Sequence, residues 1–198
     1  MTLEYYNTNA DAFRERTKDL ALPREYDTFL ARLPDGAHIL DAGCGPGRDA
    51  KYFASRGYCM TAIHASAAMV ELATRATGLP VRLLPFQQLD FDNEFDGIWT
   101  MASLLHVPTS DIDDVVRRLT RALKPGGVWY LCVKIGQGER RNPDGRMFYD
   151  YTPDSLRQLL SRHPSLELLD MYESEATTPP NWLHATVRKV PPAEGRGS

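Results

Sequence analysis

The sequence predicts an α/β fold, a mostly parallel sheet with helices on both faces, and three observations carry that prediction. From residue 38 onward, short apolar β-rich runs alternate with amphipathic helical stretches. Each of the first two strands runs through a short turn straight into a helix. The first of those turns is rich in glycine and stands where open parallel sheets hold their ligands.

The elements follow in order. Residues 38–41 form the first strand, followed by the glycine turn and a helix from near Arg48 that closes at Gly57, a suitable C′ residue. Residues 59–63 read as the second strand, and Ser66 caps a helix carrying Met69, Val70 and Leu72. Residues 81–84 and 95–100 are the third and fourth strands. Ser110 with Asp113 resembles a capping box for a helix to about Leu123, which Lys124, Pro125, Gly126 and Gly127 stop. Residues 128–133 are the fifth strand. Thr152 and Pro153 supply an N-cap and an N1 proline for a helix to about Leu160, and residues 166–172 and 183–188 complete seven strands. Upstream, residues 9–20 and 24–33 are helical in pattern yet belong to no strand–helix unit.

A chain of 198 residues is long enough for one sizeable core and short for two. One domain is expected over residues 1–189, with a helical lid at 1–35, a second lid in the insertion 136–151, and a disordered tail at 190–198. The net charge of −3 argues against a broad grip on nucleic acid. No apolar run reaches the roughly 20 residues that span a bilayer, and residues 1–10 do not read as a signal peptide, so a cytoplasmic protein without membrane partners is expected. Cys44, Cys59 and Cys132 stand in no metal spacing and are expected to be reduced thiols, with no metal site. The sequence leaves the oligomeric state open.

The turn runs Asp41, Ala42, Gly43, Cys44, Gly45, Pro46, Gly47, and its order of apolar strand, acid, GxGxG and helix start is specific. Glycine removes the Cβ that keeps a ligand off the backbone, and the following helix offers unpaired N–H groups. A nucleoside with a carboxylate-bearing tail suits such a surface. The dinucleotide fingerprint GxGxxG fits less well, because the third glycine falls one residue early and Arg48 takes its place.

The stretch from Ile39 to Gly47 resembles motif I of the class I S-adenosylmethionine-dependent methyltransferases. Residues 62–66, 95–99 and 123–127 are similar to further conserved stretches of the same family, and a weaker resemblance to its small bacterial members reaches Arg188. The resemblance implies a Rossmann-like seven-stranded sheet with its last strand antiparallel. It also implies S-adenosylmethionine as cofactor, S-adenosylhomocysteine as product, and methyl transfer to a small-molecule acceptor. Carried over position by position, it marks Tyr6, Asp41, Gly43, Cys44, Gly45, Gly47, Arg48, His64, Ala65, Met69, Phe86, Gln87 and Met101 as cofactor contacts.

One position departs from the pattern. The second strand of the family ends in Asp or Glu, whose carboxylate accepts both ribose hydroxyls, whereas His64 stands there in this chain. Neutral imidazole has a single acceptor nitrogen, and losing one charge-assisted bond costs roughly 1–3 kcal/mol. Three explanations compete: His64 still bonds a ribose hydroxyl, the site is tuned to a modified cofactor, or the site has decayed.

For the reaction, His106 is the candidate general base, with loop orientation through a backbone hydrogen bond as the alternative. His106, Lys134, Tyr149 and Tyr151 are expected to line the acceptor pocket. Tyr5, Tyr6, Asn9, Phe13 and Phe148 are candidate lid residues that shield and attract a sulfonium. Arg140, Arg141 and Arg146 lie beside the insertion, where they face either an anionic acceptor or solvent. The same cofactor also serves non-methylating chemistry such as cyclisation, and a non-catalytic binding protein is the remaining alternative.

Overall fold

The computed structural model describes residues 2–177 and 180–191. Seven strands form one sheet: β1 (His38–Ala42), β2 (Cys59–His64), β3 (Arg82–Leu83), β4 (Phe95–Met101), β5 (Leu123–Lys134), β8 (Leu166–Ser174) and β9 (Trp182–Lys189). Their order is β3-β2-β1-β4-β5-β9-β8. The first five are parallel, and β9 runs antiparallel between β5 and β8. Chain order reverses beside β1, which opens a crevice at the carboxyl ends of β1 and β4.

Alternation along the strands divides the core between the two faces. Leu40, Ile98, Trp129, Leu131 and Val133 meet α6 (Ile112–Ala122) and α7 (Pro153–Ser161) through Val115, Val116, Leu119, Leu156 and Leu159. On the opposite face Ile39, Trp99, Tyr130 and Cys132 pack with Tyr26 and Phe29 of α3 (Pro23–Leu30) and Phe53 of α4 (Arg48–Ser55).

The segment expected to be a lid at 1–35 therefore splits. α1 (Thr2–Thr8) and α2 (Ala10–Thr17) lie over α5 (Ala67–Thr77), where Tyr6 and Ala10 cluster with Met69 and Leu72. α3 is core: Phe29 is fully buried and sits on Gly97, where a Cβ would lie 2.7 Å from its ring. An amphipathic helix with an aromatic face buries that face wherever a sheet offers one, and the glycine gives it the room.

Other boundaries shift for local reasons. β5 starts at Leu123, because Leu123 already pairs with Phe95, and Lys124 to Gly127 loop within the strand. Gly126 makes this possible at φ +80°. Asp111, not Ser110, precedes α6, and its side chain makes no capping bond. Thr152 does form a capping box, with Ser155. The insertion is a hairpin, β6 (Gly138–Arg141) with β7 (Met147–Asp150). Of the expected tail, residues 192–198 lie outside the described residues; Val190 N bonds Ser165 O. Among the described residues no helix is long and apolar enough to cross a membrane. The three cysteines are free thiols.

Candidate functional site

The crevice is built on the turn between β1 and α4. Gly43, Gly45 and Gly47 hold φ of +88°, +54° and +88°, and the amides of Gly43 and Cys44 both donate to Ile63 O, fixing the turn to β2. Gly43 is required by the chain itself, since a Cβ there would lie 2.3 Å from Ser103 Cβ. At Gly45 the space is open apart from the Phe13 ring 3.8 Å away. Gly43→Ala is expected to lower stability by about 2 kcal/mol through left-handed strain and overlap. Urea unfolding checks this, and an unchanged midpoint would contradict the packing of Ser103 on the turn.

Ser103 belongs to the segment leaving β4. Ala102 turns it at φ +51°, a strained conformation for a residue with a Cβ, and Ser103 Oγ donates to Ala42 O at 2.7 Å. This brings His106 into the crevice. Its Nδ1 lies 2.7 Å from Met147 O, and because a carbonyl only accepts, Nδ1 carries the hydrogen. Burial lowers the His106 pKa to about 4, so the ring is neutral and Nε2 accepts from the Tyr6 hydroxyl at 2.8 Å. Tyr6 in turn accepts from Arg146, whose guanidinium lies over the Tyr5 ring and pairs with Asp144. Burial raises the Tyr6 hydroxyl pKa, and Arg146 opposes that rise. Thr2 Oγ1 accepts from Met147 N, so α1 and the hairpin are tied together at two points, with the Tyr6–His106 bond joining α1 to the segment leaving β4.

His64, at the end of β2, is half-buried with its ring 5.8 Å from that of Tyr6. The Ser66 amide donates to its Nδ1 at 2.9 Å. Ser66 also caps α5 and donates to Asn7 Oδ1 of α1. Burial, reinforced by the nearby His106, lowers the His64 pKa to about 4.

Beneath the turn lie two carboxyl groups. Asp49 is fully engaged: it accepts from Tyr26 Oη at 2.7 Å, Trp99 Nε1 at 2.9 Å, and Arg48 Nε and Nη2. Asp41 is 2% exposed and its Oδ2 has no hydrogen-bond partner. Burial first, then the charge of Asp49, holds the Asp41 carboxyl well above the usual carboxylate range.

The expected cofactor residues divide in the same way. Tyr6, Gly43, Gly45, His64, Phe86 and the exposed Ala65 surround the crevice; Phe86 lies 3.7 Å from where a Gly43 Cβ would be. Arg48 is committed to Asp49 and to Thr17 O. Cys44 is buried among Ala50, Ala62 and Ala73, and burial pushes its thiol pKa up. Met69 is fully buried beneath Tyr6, and Met101 packs with the Tyr26 and Trp99 cluster on the far face. Gln87 directs its amide to Asp111 Oδ2, at the start of α6.

Of the expected acceptor residues, only His106 joins the crevice. Lys134 sits on the opposite face of β5 from Val133, donates to Pro180 O and lies 3.6 Å from the Trp182 ring centroid. Tyr149 faces away from the buried side of β7, and Tyr151 packs on the apolar core. Phe148 contacts the His106 ring instead, at 4.7 Å. Strand alternation explains the exchange, since Phe148 and Asp150 share the buried face. Arg140 and Arg146 are spent on Asp150 and Asp144. Asn7, Asp49 and Ser103 carried no motif that marked them. Asp49 alone had a cue, its place in the first turn of the helix that follows the glycine turn.

The fold agrees with comparisons to known proteins. Residues 39–127 match the methyltransferase domain family. Over 114 residues the chain is 36% identical to malonyl-[acyl-carrier protein] O-methyltransferase of Enterobacter lignolyticus, covering 53% of this chain and 43% of that protein. Over 126 residues it is 32% identical to an S-adenosyl-L-methionine-dependent Diels-Alderase of Talaromyces variabilis, covering 56% and 42%. The chain thus spans about two fifths of the length of these curated relatives. In structure it resembles Burkholderia thailandensis 1,6-didemethyltoxoflavin-N1-methyltransferase, solved with 1,6-didemethyltoxoflavin and S-adenosylhomocysteine, with a TM-score of 0.76 and 24% identity over 95% of this chain and 85% of that one. In sheet order and in the sequence of its glycine turn, the chain resembles the class I S-adenosylmethionine-dependent methyltransferases, and residues 39–127 carry the methyltransferase domain match.

The residues present fit S-adenosylmethionine. The unpartnered Asp41 Oδ2 matches a cationic or N–H-bearing group, Gly45 leaves open backbone, and Phe13, Tyr6 and Phe86 supply flat apolar walls.

Proposed function

We propose that this chain transfers a methyl group from S-adenosylmethionine to a small-molecule acceptor held between the glycine turn, His106 and the aromatic side chains of α1, α2 and β7. The observation that carries the reading is the Tyr6–His106 hydrogen bond, which spans the crevice and leaves Nε2 as the accepting nitrogen of His106. The cofactor supplies an electrophilic methyl group on a sulfonium. The chain's part is to exclude water, align the nucleophile and take up the proton that the acceptor releases.

His106 suits that last task. Its orientation is fixed by Met147 O, and it is neutral at physiological pH, ready to accept at Nε2 once Tyr6 yields the position. Burial makes this imidazole, with a pKa near 4, a weak base, so it suits an acceptor whose proton becomes strongly acidic once methylation has made that acceptor cationic. The aromatic rings over the turn favour a cationic ligand. The net charge of −3 supports a small acceptor over a polyanion.

The test is calorimetry with S-adenosylhomocysteine followed by product analysis. S-Adenosylhomocysteine among the products supports methyl transfer. Methylthioadenosine, or a cofactor left unconsumed while an acceptor rearranges, supports the non-methylating reading that the Diels-Alderase relative makes the second choice. No binding at millimolar ligand leaves only a non-catalytic binding protein. With an acceptor in hand, His106→Gln is expected to lower kcat about a hundredfold with KM little changed; a loss confined to KM would show His106 to be an acceptor-binding residue only.

A further inference from the structure

His64 does more than replace a carboxylate, because its hydrogen-bonding polarity is fixed. The Ser66 amide can only donate, so His64 Nδ1 must accept, and the single hydrogen of the neutral ring is on Nε2. Ser66 is itself held in place as the cap of α5 and by its bond to Asn7, so the donating amide cannot turn away without unwinding the start of that helix. Among the described residues Nε2 meets no protein acceptor. The end of β2 therefore presents one N–H donor to the crevice, beneath the Tyr6 ring. A carboxylate at the same point would present two acceptor oxygens.

We propose that the ribose subsite of this chain is a one-point donor site: His64 Nε2–H bonds a single ribose oxygen, and the hydroxyl hydrogens play no part in recognition there. The inference rests on the reading of the crevice as an adenosyl cofactor site and goes further in naming what that site tolerates. A carboxylate needs both ribose hydroxyls as donors, so either deletion leaves one of its oxygens unpaired. The His64 donor needs one oxygen, so the site accepts an adenosyl thioether lacking the other hydroxyl. The ligand class is thus widened to deoxyribose forms of the cofactor, 2′-deoxy or 3′-deoxy but not both.

The experiment has two arms on the intact chain. In the first, nitrogen-15 NMR of the imidazoles reads the tautomer of His64, assigned by its disappearance in His64→Gln. A protonated Nε2 with a free Nδ1 is expected, and the reverse tautomer overturns the proposal.

In the second arm, calorimetry measures S-adenosylhomocysteine and its 2′-deoxy and 3′-deoxy analogues on the native chain and on His64→Asp. On the native chain one analogue is expected to bind within threefold of the parent, and the other about tenfold more weakly. On His64→Asp the parent is expected to bind about tenfold more tightly than to the native chain, and each analogue at least tenfold more weakly than the parent. Losses of tenfold or more for both analogues on the native chain overturn the one-point reading alone. Absence of parent binding to both proteins, with both folded by circular dichroism, overturns the cofactor-site reading itself and this inference with it.

Discussion

Acidification from pH 7 to pH 4.5 is expected to cost the fold about 5 kcal/mol through three buried imidazoles. His64, His106 and His184 each have their pKa lowered from 6.5 to about 4, in every case chiefly by burial. In the unfolded chain these rings protonate below pH 6.5; in the folded chain they resist until about pH 4. Between those values the unfolded state holds more protons, so stability falls as pH falls and levels off below about 4. A full shift of this size is worth roughly 3 kcal/mol per ring. Partial exposure lowers the sum, since His64 and His106 are only half-buried.

The surrounding groups explain why protonation is resisted. His106 faces Arg146 and Tyr6, with Asp144 beyond the arginine, and His64 faces Tyr6 and His106. His184 lies against Tyr130, Tyr172 and Ser174, with Arg24 stacked on Tyr172. Asp41 acts in the opposite sense: its raised carboxyl pKa makes the folded state bind a proton more readily and offsets part of the loss. Thermal melts across this range check the prediction, and His184→Gln is expected to flatten the curve. A Tm constant between pH 6.5 and 4.5 would refute it.

The second large effect is expected at Asp49. Asp49→Ala leaves the Arg48 guanidinium, the Tyr26 hydroxyl and the Trp99 indole N–H without their shared acceptor. Asp49 is 7% exposed, so water does not readily replace it. Removing one partner from a buried charged network costs about 3–5 kcal/mol, most of it from the charge left behind. Asp49→Asn keeps the shape and one acceptor oxygen, and is expected to lose less. Denaturant unfolding of both variants provides the measurement; equal, small losses would show that Arg48 finds other partners. Because Asp49 lies in the first turn of α4 and Trp99 in β4, the alanine variant is also expected to loosen the crevice floor.

Much of this architecture is legible in the sequence because its signals are local. The strands of the sheet's centre are short apolar runs closed by turn residues, and the glycine turn carries its meaning within seven positions. Less of the site is legible, because its partners are distant in the chain. Asp49 joins Tyr26 and Trp99, which lie 23 and 50 positions away, and no local pattern connects them. Gln87 has the right chemistry for an adenine edge, yet a flexible amide turns to the nearest strong acceptor, and Asp111 is within reach. Lys134 and Tyr149 fall on the unexpected sides of their strands, since a one-residue step decides the face. His64 is visible in sequence as a departure, but only the folded Ser66 amide fixes which of its nitrogens carries the hydrogen.

The position of β9 sets a condition on how the chain is made. It lies between β5 and β8, so β8 has no route into the sheet until residues 182–189 have been synthesised. Until then the edge of β5, with Tyr130 and Cys132 beside it, lacks its partner. From the time β5 is made until residues 182–189 follow, the nascent chain carries an open, apolar strand edge.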